Sequence, residues 1–136
     1  MLIYADGGAL ARAVVDEPES PAWREFAAAT AERLVTSPLG LTELRRIADP
    51  LGRTTRDAAR ELADQVQVVR FSDQALKSAA MATSAAPPFT AIHVGIAASH
   101  PDVGQVATYD LLLARMAVIY GLAVVTPGRP EGWWEG

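Results

Sequence analysis

The sequence predicts an α/β domain in three layers, with a central, mostly parallel five-stranded sheet between helices. Three observations predict it. Short apolar runs recur along the 136 residues, and helix-forming stretches separate them. The first run, Leu2-Ile3-Tyr4-Ala5, is bulky and apolar without alternation, as suits a central strand covered on both faces. No repeat, linker or second composition class interrupts the chain, so residues 1–136 read as one domain with a Trp-containing tail at 129–136.

Each element has a local reason. Asp6-Gly7-Gly8 closes the first strand, and 9–15 is a helix. Residues 16–21 form a loop in which Ser20-Pro21 has the form of an N-cap followed by proline at the first helical position. The helix it starts spans 22–31 and carries Trp23, Phe26 and Ala27. A second strand covers 33–37. Pro38 ends it, and a helix from Leu39 through Ile47 stops at Pro50 and Gly52. Thr54 or Thr55 caps the next helix, which reaches Gln65.

A third strand covers 66–71. Ser72 and Asp73 cap a helix containing Leu76, Ala79, Ala80 and Met81, and 84–88 is a loop. The helix after Pro88 carries Phe89, Ile92, His93, Ile96 and Ala97, and His100-Pro101-Asp102 stops it. A fourth strand covers 103–110 and ends in Asp110. A helix over 111–120 follows, with Gly121 as its C-terminal cap. The fifth strand covers 122–126, and Pro127-Gly128 closes it.

Composition excludes several classes. A domain of this length buries roughly two-thirds of its unfolded surface and needs no covalent staple. With no cysteine and two histidines, thiolate sites are excluded and a zinc site is disfavoured. No apolar run approaches the ~20 residues of a membrane span, and the N-terminal run lacks the basic flank of a signal peptide. The expected location is the cytoplasm. The net charge of -4 is not the footprint of an avid nucleic-acid binder. Yet Arg45, Arg46, Arg53, Arg56 and Arg60 fall in one short span. They read either as a solvated helix face balanced by Asp57, Glu61 and Asp64, or as a phosphate-contacting patch.

The chemistry gathers around three acids. Asp6 and Asp110 end the first and fourth strands, and ligands of open parallel sheets bind outside the carboxyl ends of strands. Glu43 lies early in the helix after the second strand and can lean over the same edge. Each aspartate alone also reads as a helix cap. Three carboxylates in one place repel unless a cation is present, and Mg²⁺ or Mn²⁺ takes oxygen ligands. Arg45 and Arg46 are candidates to hold phosphates beside the acids. His93, among Phe89, Ile92 and Ile96, reads as a satisfied core histidine rather than a general base.

Taken with their order and spacing, several short pieces resemble the PIN-domain family, and within it the VapC-like toxins of type II toxin–antitoxin systems. They are Ile3-Tyr4-Ala5-Asp6, Leu41-Thr42-Glu43-Leu44, Ala91-Ile92-His93, Thr108-Tyr109-Asp110 and Val125-Thr126-Pro127-Gly128. The resemblance covers nearly the whole chain. It implies a PIN-like α/β/α fold and a metal-dependent ribonuclease, usually dimeric and neutralised by a small cognate antitoxin. It carries the family's first acid onto Asp6, its helix glutamate onto Glu43 and its strand-end aspartate onto Asp110.

Two positions depart from the pattern. Thr90 stands where the family usually has an aspartate before Ala-Ile-His, and Gly8 stands where it favours serine or threonine. The first removes one charge from a Mg²⁺ cluster. An alternative is therefore a PIN-like binding module with weak or no nuclease activity. A phosphoacceptor or small-ligand domain of flavodoxin-like shape shares the strand-end aspartates, but a Gly-rich phosphate loop of the usual spacing is absent. Two further expectations concern surfaces. The Trp133-Trp134 pair covers an apolar edge of the domain. The helices carrying Ala9, Leu10, Ala13 and Val14 and Trp23, Phe26 and Ala27 offer more apolar surface than one sheet face covers, which favours a homodimer.

Overall fold

A computed structural model describes residues 1–82 and 86–136. Ser84 and Ala85, expected in a loop, lie outside the described residues.

Five strands form one parallel sheet: β1 (Leu2–Ala5), β2 (Leu34–Thr36), β3 (Gln67–Val68), β4 (Val103–Ala107) and β5 (Ala123–Val125). Their order is β3-β2-β1-β4-β5, so β1 is central. The helices are α1 (Gly7–Ala11), α2 (Ser20–Ala29), α3 (Pro38–Ala48), α4 (Arg53–Gln65), α5 (Asp73–Ala82), α6 (Pro88–Ser99) and α7 (Leu111–Ile119). The sheet is all parallel, which sharpens the expectation of a mostly parallel one.

The alternation of side chains along β1 divides the core into two layers. Ile3 and Ala5 pack with Leu10 of α1, Trp23 of α2, Leu44 of α3 and Ala59 of α4. Tyr4 packs on the other face with Ala75 of α5, Val94 and Ala97 of α6, and Leu113 of α7. At Gly95 the two helices α5 and α6 come close. A Cβ there would lie 2.5 Å from the Ala75 carbonyl oxygen and 2.8 Å from the Ala79 nitrogen.

Several expected details differ. Ser20 lies inside α2, whose preceding residue Glu19 makes no side-chain capping bond. The Ser20 hydroxyl instead donates to the Val15 carbonyl at 2.6 Å and accepts from Glu17 N at 2.9 Å, tying down the loop before the helix. Neither Thr54 nor Thr55 caps α4. A 3₁₀ turn at Asp49–Leu51 extends α3, and Gly52, with φ +103°, reverses the chain so that α4 begins at Arg53. This left-handed region favours glycine.

The third strand shrinks to two exposed residues at the sheet edge, where it has one neighbour to pair with. Pro38 ends β2 and also begins α3 directly, behind Ser37, whose hydroxyl accepts from Gly40 N at 3.2 Å. The fourth strand stops at Ala107, short of the Asp110 expected to end it.

The tail lies beside the end of the outer strand. Trp133 and Trp134 are half-buried, and the Trp133 indole N–H donates to Thr126 Oγ1 at 2.8 Å. Part of the apolar surface expected to favour a dimer is in the core. Ala9, Leu10 and Trp23 are buried, and Ala13, Val14, Phe26 and Ala27 pack against them. No described helix is long and apolar enough to cross a membrane.

Candidate active site

The strand order reverses direction between β1 and β4, and crevices at such points are where ligands bind in open parallel sheets. Asp6 leaves β1 there, 6% exposed, and caps α1. Its Oδ1 accepts from Ala9 N at 2.8 Å, and its Oδ2 accepts from Thr108 Oγ1 at 2.6 Å. Thr108 follows β4, and the same hydroxyl accepts from Asp110 N at 3.0 Å. Asp110 in turn caps α7, accepting from Leu113 N at 2.9 Å. Both aspartates are thus helix caps, and one threonine ties them together.

Glu43 reaches the same edge because Gly7 has no side chain. A Cβ on Gly7 would overlap the Glu43 Cβ, so only glycine lets α1 approach α3 this closely. Glu43 Oε1 accepts from Gly7 N at 3.0 Å and meets His93 Nε2 at 2.7 Å. On the far side of that ring, Nδ1 lies 2.6 Å from the Tyr4 hydroxyl, which is 2.7 Å from Ser37 Oγ. One proton assignment satisfies every partner. Ser37 donates to Tyr4, Tyr4 donates to Nδ1, and Nε2–H donates to Glu43. Burial pushes the Tyr4 phenol well up from its ordinary range, which keeps it protonated as a donor.

Buried Asp6 and half-buried Glu43 are tuned in opposite directions. Burial pushes the Asp6 carboxyl up, although His93, the Thr108 hydroxyl and Ala9 N each pull against it. For Glu43 burial also pushes upward, but the hydrogen bond to His93, the Gly7 N–H and the charge of Arg46 outweigh it. The net shift is down. Asp6, Glu43 and Asp110 line one cleft of about 420 Å³ together with Arg12, Arg46 and Phe89.

The donor set suits a hard cation, being all carboxylate oxygen. Among the described residues no three acidic or imidazole side chains gather into a ready-made metal cage. Each acid is already engaged with protein donors, yet Glu43 Oε2 and Asp110 Oδ2 accept no hydrogen bond among the described residues. That arrangement is compatible with Mg²⁺, which keeps several waters and needs only one or two direct carboxylates.

The structure brings Asp6, Glu43, Asp110 and Arg46 to this cleft but separates Arg45 from it. Arg45 lines a different concavity with Asp49, Arg56 and Arg60. Adjacent helical residues point about 100° apart, which is why one arginine faces the acids and its neighbour does not. Thr90 is buried in the first turn of α6, and its neighbour Phe89 lines the cleft.

The match to known families follows this geometry. The model of the PIN domain matches residues 3–129, nearly the whole chain. The chain belongs to the PIN-domain family. This PIN domain is 30% identical over 127 residues to Ribonuclease VapC46 of Mycobacterium tuberculosis, covering 92% of this chain and 97% of that protein. Among solved structures it is similar to VapBC2 from Rickettsia felis bound to a DNA fragment from their promoter. There the TM-score is 0.69, with 10% identity over 93% of this chain and 99% of that one. It is also similar to FitAB bound to IR36 DNA fragment, with a TM-score of 0.71 and 16% identity over 97% and 99% of the two chains. Identities this low speak for a shared fold.

Three features of the PIN-domain cleft escape a reading of the sequence. His93 is a core histidine as expected, 3% exposed with both ring nitrogens bonded, but one of those bonds orients Glu43. Thr108 links the two aspartates. Arg12 lines the cleft from α1's C-terminal cap, where a lone arginine in an apolar helix gave no signal of its own.

Proposed function

We propose that this PIN domain is the toxin of a toxin–antitoxin pair, a ribonuclease that hydrolyses RNA phosphodiesters at the acidic cleft with Mg²⁺ or Mn²⁺. The observation that supports it most is that Asp6, Glu43 and Asp110 line one cleft at the strand-order switch. The likeness to a protein named as a ribonuclease supports the reaction class. On this reading the partners are an RNA substrate, a cognate antitoxin and a second copy of the chain, and the setting is the cytoplasm.

Asp6, Asp110 and Glu43 would hold the cation. When bound, such a cation neutralises developing phosphate charge and lowers the pKa of an attacking water. The chain's own groups do the rest. His93 holds Glu43 through Oε1, which leaves Oε2 to ligate or to orient the water. Thr108 fixes Asp6 and Asp110 relative to each other. Arg46 balances charge beside Glu43, lines the same cleft, and would meet a phosphate oxygen.

The test is cleavage of a structured RNA with Mg²⁺ or Mn²⁺. Asp6→Asn is expected to lose at least about a hundredfold in rate, the scale of losing one electrostatic stabiliser. Equal activity in both proteins overturns the assignment. A second reading, a PIN-like binding module with little turnover, is favoured by Thr90 and Gly8. Thr90→Asp separates the two. A strong gain of cleavage means an intact site one ligand short. Silence in both wild type and variant means a binder.

A further inference from the structure

Arg12 is built into the cleft more firmly than a surface arginine. Its Nε donates to Glu19 Oε1 at 3.3 Å, its Nη1 donates to the Gly8 carbonyl at 2.8 Å, and its guanidinium lies 3.9 Å from the centre of the Tyr109 ring. The same Glu19 accepts from Arg129 Nε at 3.0 Å through its other oxygen. Arg129 also stands 4.5 Å from the centre of the Trp133 ring. One carboxylate therefore serves two guanidinium groups, and the cluster keeps a net positive charge at the rim of an acidic cleft.

Arg12 and Asp6 both lie near Gly8. A Cβ on Gly8 would lie 3.8 Å from Asp6 Oδ1 and 4.0 Å from Arg12 Nη1. Nη2 makes no hydrogen bond among the described residues, so part of the guanidinium fork is left for a ligand. A fork held on three sides loses little freedom when it binds, and its planar geometry matches a phosphate.

We infer that Arg12 is a substrate-binding residue that takes a backbone phosphate of single-stranded RNA next to the acids, with Glu19, Tyr109 and the C-terminal Arg129 as its positioning residues. The inference rests on the ribonuclease reading for the identity of the ligand. Arg46 lines the same cleft, so the two cations would contact phosphates around one acidic centre.

The experiment is binding of a labelled single-stranded oligoribonucleotide, followed by anisotropy across a salt series without added divalent cation. Arg12→Gln is expected to weaken binding about tenfold at low salt, the scale of one charged hydrogen-bonded contact. It is also expected to flatten the slope of log affinity against log salt by about 0.7, the value for one lost phosphate contact on a single strand. A purely structural arginine would leave that slope unchanged, and an unchanged slope overturns the inference. If Arg12→Gln does not fold, the Nε–H resonance of Arg12 in the wild-type protein answers the same question. A shift on adding the oligonucleotide supports the contact, and no shift overturns it. Normal binding with the expected slope change but no RNA cleavage sinks the nuclease reading and leaves Arg12 standing. Cleavage with a wild-type slope in Arg12→Gln does the reverse.

Discussion

At the scale of single residues, two neighbouring glycines have different meanings. Gly7 is a steric requirement. Added there, a Cβ would overlap the Glu43 Cβ and lie 2.6 Å from the Gly40 carbonyl oxygen and 2.8 Å from Leu44 N. Its backbone is not in the left-handed region, so the constraint is space and not conformation. Gly7→Ala is expected to destabilise the protein by about 2–3 kcal/mol, the scale of overpacking a filled interior. Urea denaturation measures it, and a loss below about 0.5 kcal/mol, the range of neutral surface changes, would show that α1 and α3 can separate freely. Gly8, one residue on, has room for a side chain at ordinary van der Waals distance. At Gly8 a Cβ is therefore tolerated on grounds of space.

At the scale of elements, the site depends on how strands hand over to helices. Asp6, Ser37 and Asp110 each sit between a strand and the helix that follows, and each caps that helix with a side-chain oxygen. Ser37 has a second role, because its hydroxyl begins the chain through Tyr4 and His93 to Glu43. Ser37→Ala is expected to lose about 1–2 kcal/mol, the usual worth of an N-cap together with the Tyr4 contact. The measurement is thermal or urea unfolding. A Ser37→Ala protein as stable as wild type would mean that neither bond contributes. The cap motifs Asp6, Ser72 and Asp110 were legible from spacing, since Ser72 also accepts from the third following nitrogen, Ala75, at 3.0 Å. The start of α4 was not, because Gly52 reverses the chain before either threonine is reached.

At the scale of the whole molecule, Glu19 joins the two ends of the described fold. It links Arg12, at the cleft, to Arg129, at the start of the tail. Burial pushes its carboxyl up, but the hydrogen bonds and charges of Arg129 and Arg12 prevail, and its pKa lies below the ordinary 4.5. A carboxyl depressed by folding adds stability that is complete above its unfolded pKa and is lost as pH falls through the folded value. Glu19→Gln is therefore expected to be less stable than wild type at neutral pH, and the difference should disappear as the solution is acidified below 4.5. Paired urea titrations at neutral pH and at about pH 3 read this directly. A difference that stays constant with pH would assign the loss to packing and not to charge. Tyr109, between the two guanidinium groups, has its own phenol pushed up to about 12, chiefly by burial.

The sequence alone determined the fold class, the alternation of strands and helices and the three acids. Those follow from local patterns: bulky apolar runs, breakers between them, carboxylates at two strand ends and a glutamate early in the helix after the second strand. Chain order also carried the family resemblance, since its pieces recur at fixed places along the chain. Only the tertiary structure decided which groups share the cleft. Arg45 and Arg46 are neighbours in sequence, but helical rotation sends one to the acids and the other elsewhere. Arg12 and Arg129 are far apart in sequence, and they meet through one glutamate because β1 and β4 lie side by side and β5 follows β4. Tyr4, His93 and Glu43 come from three different elements, and their hydrogen bonds exist only once the sheet has brought those elements together. Local physics sets what each segment becomes, while long-range packing chooses which side chains meet.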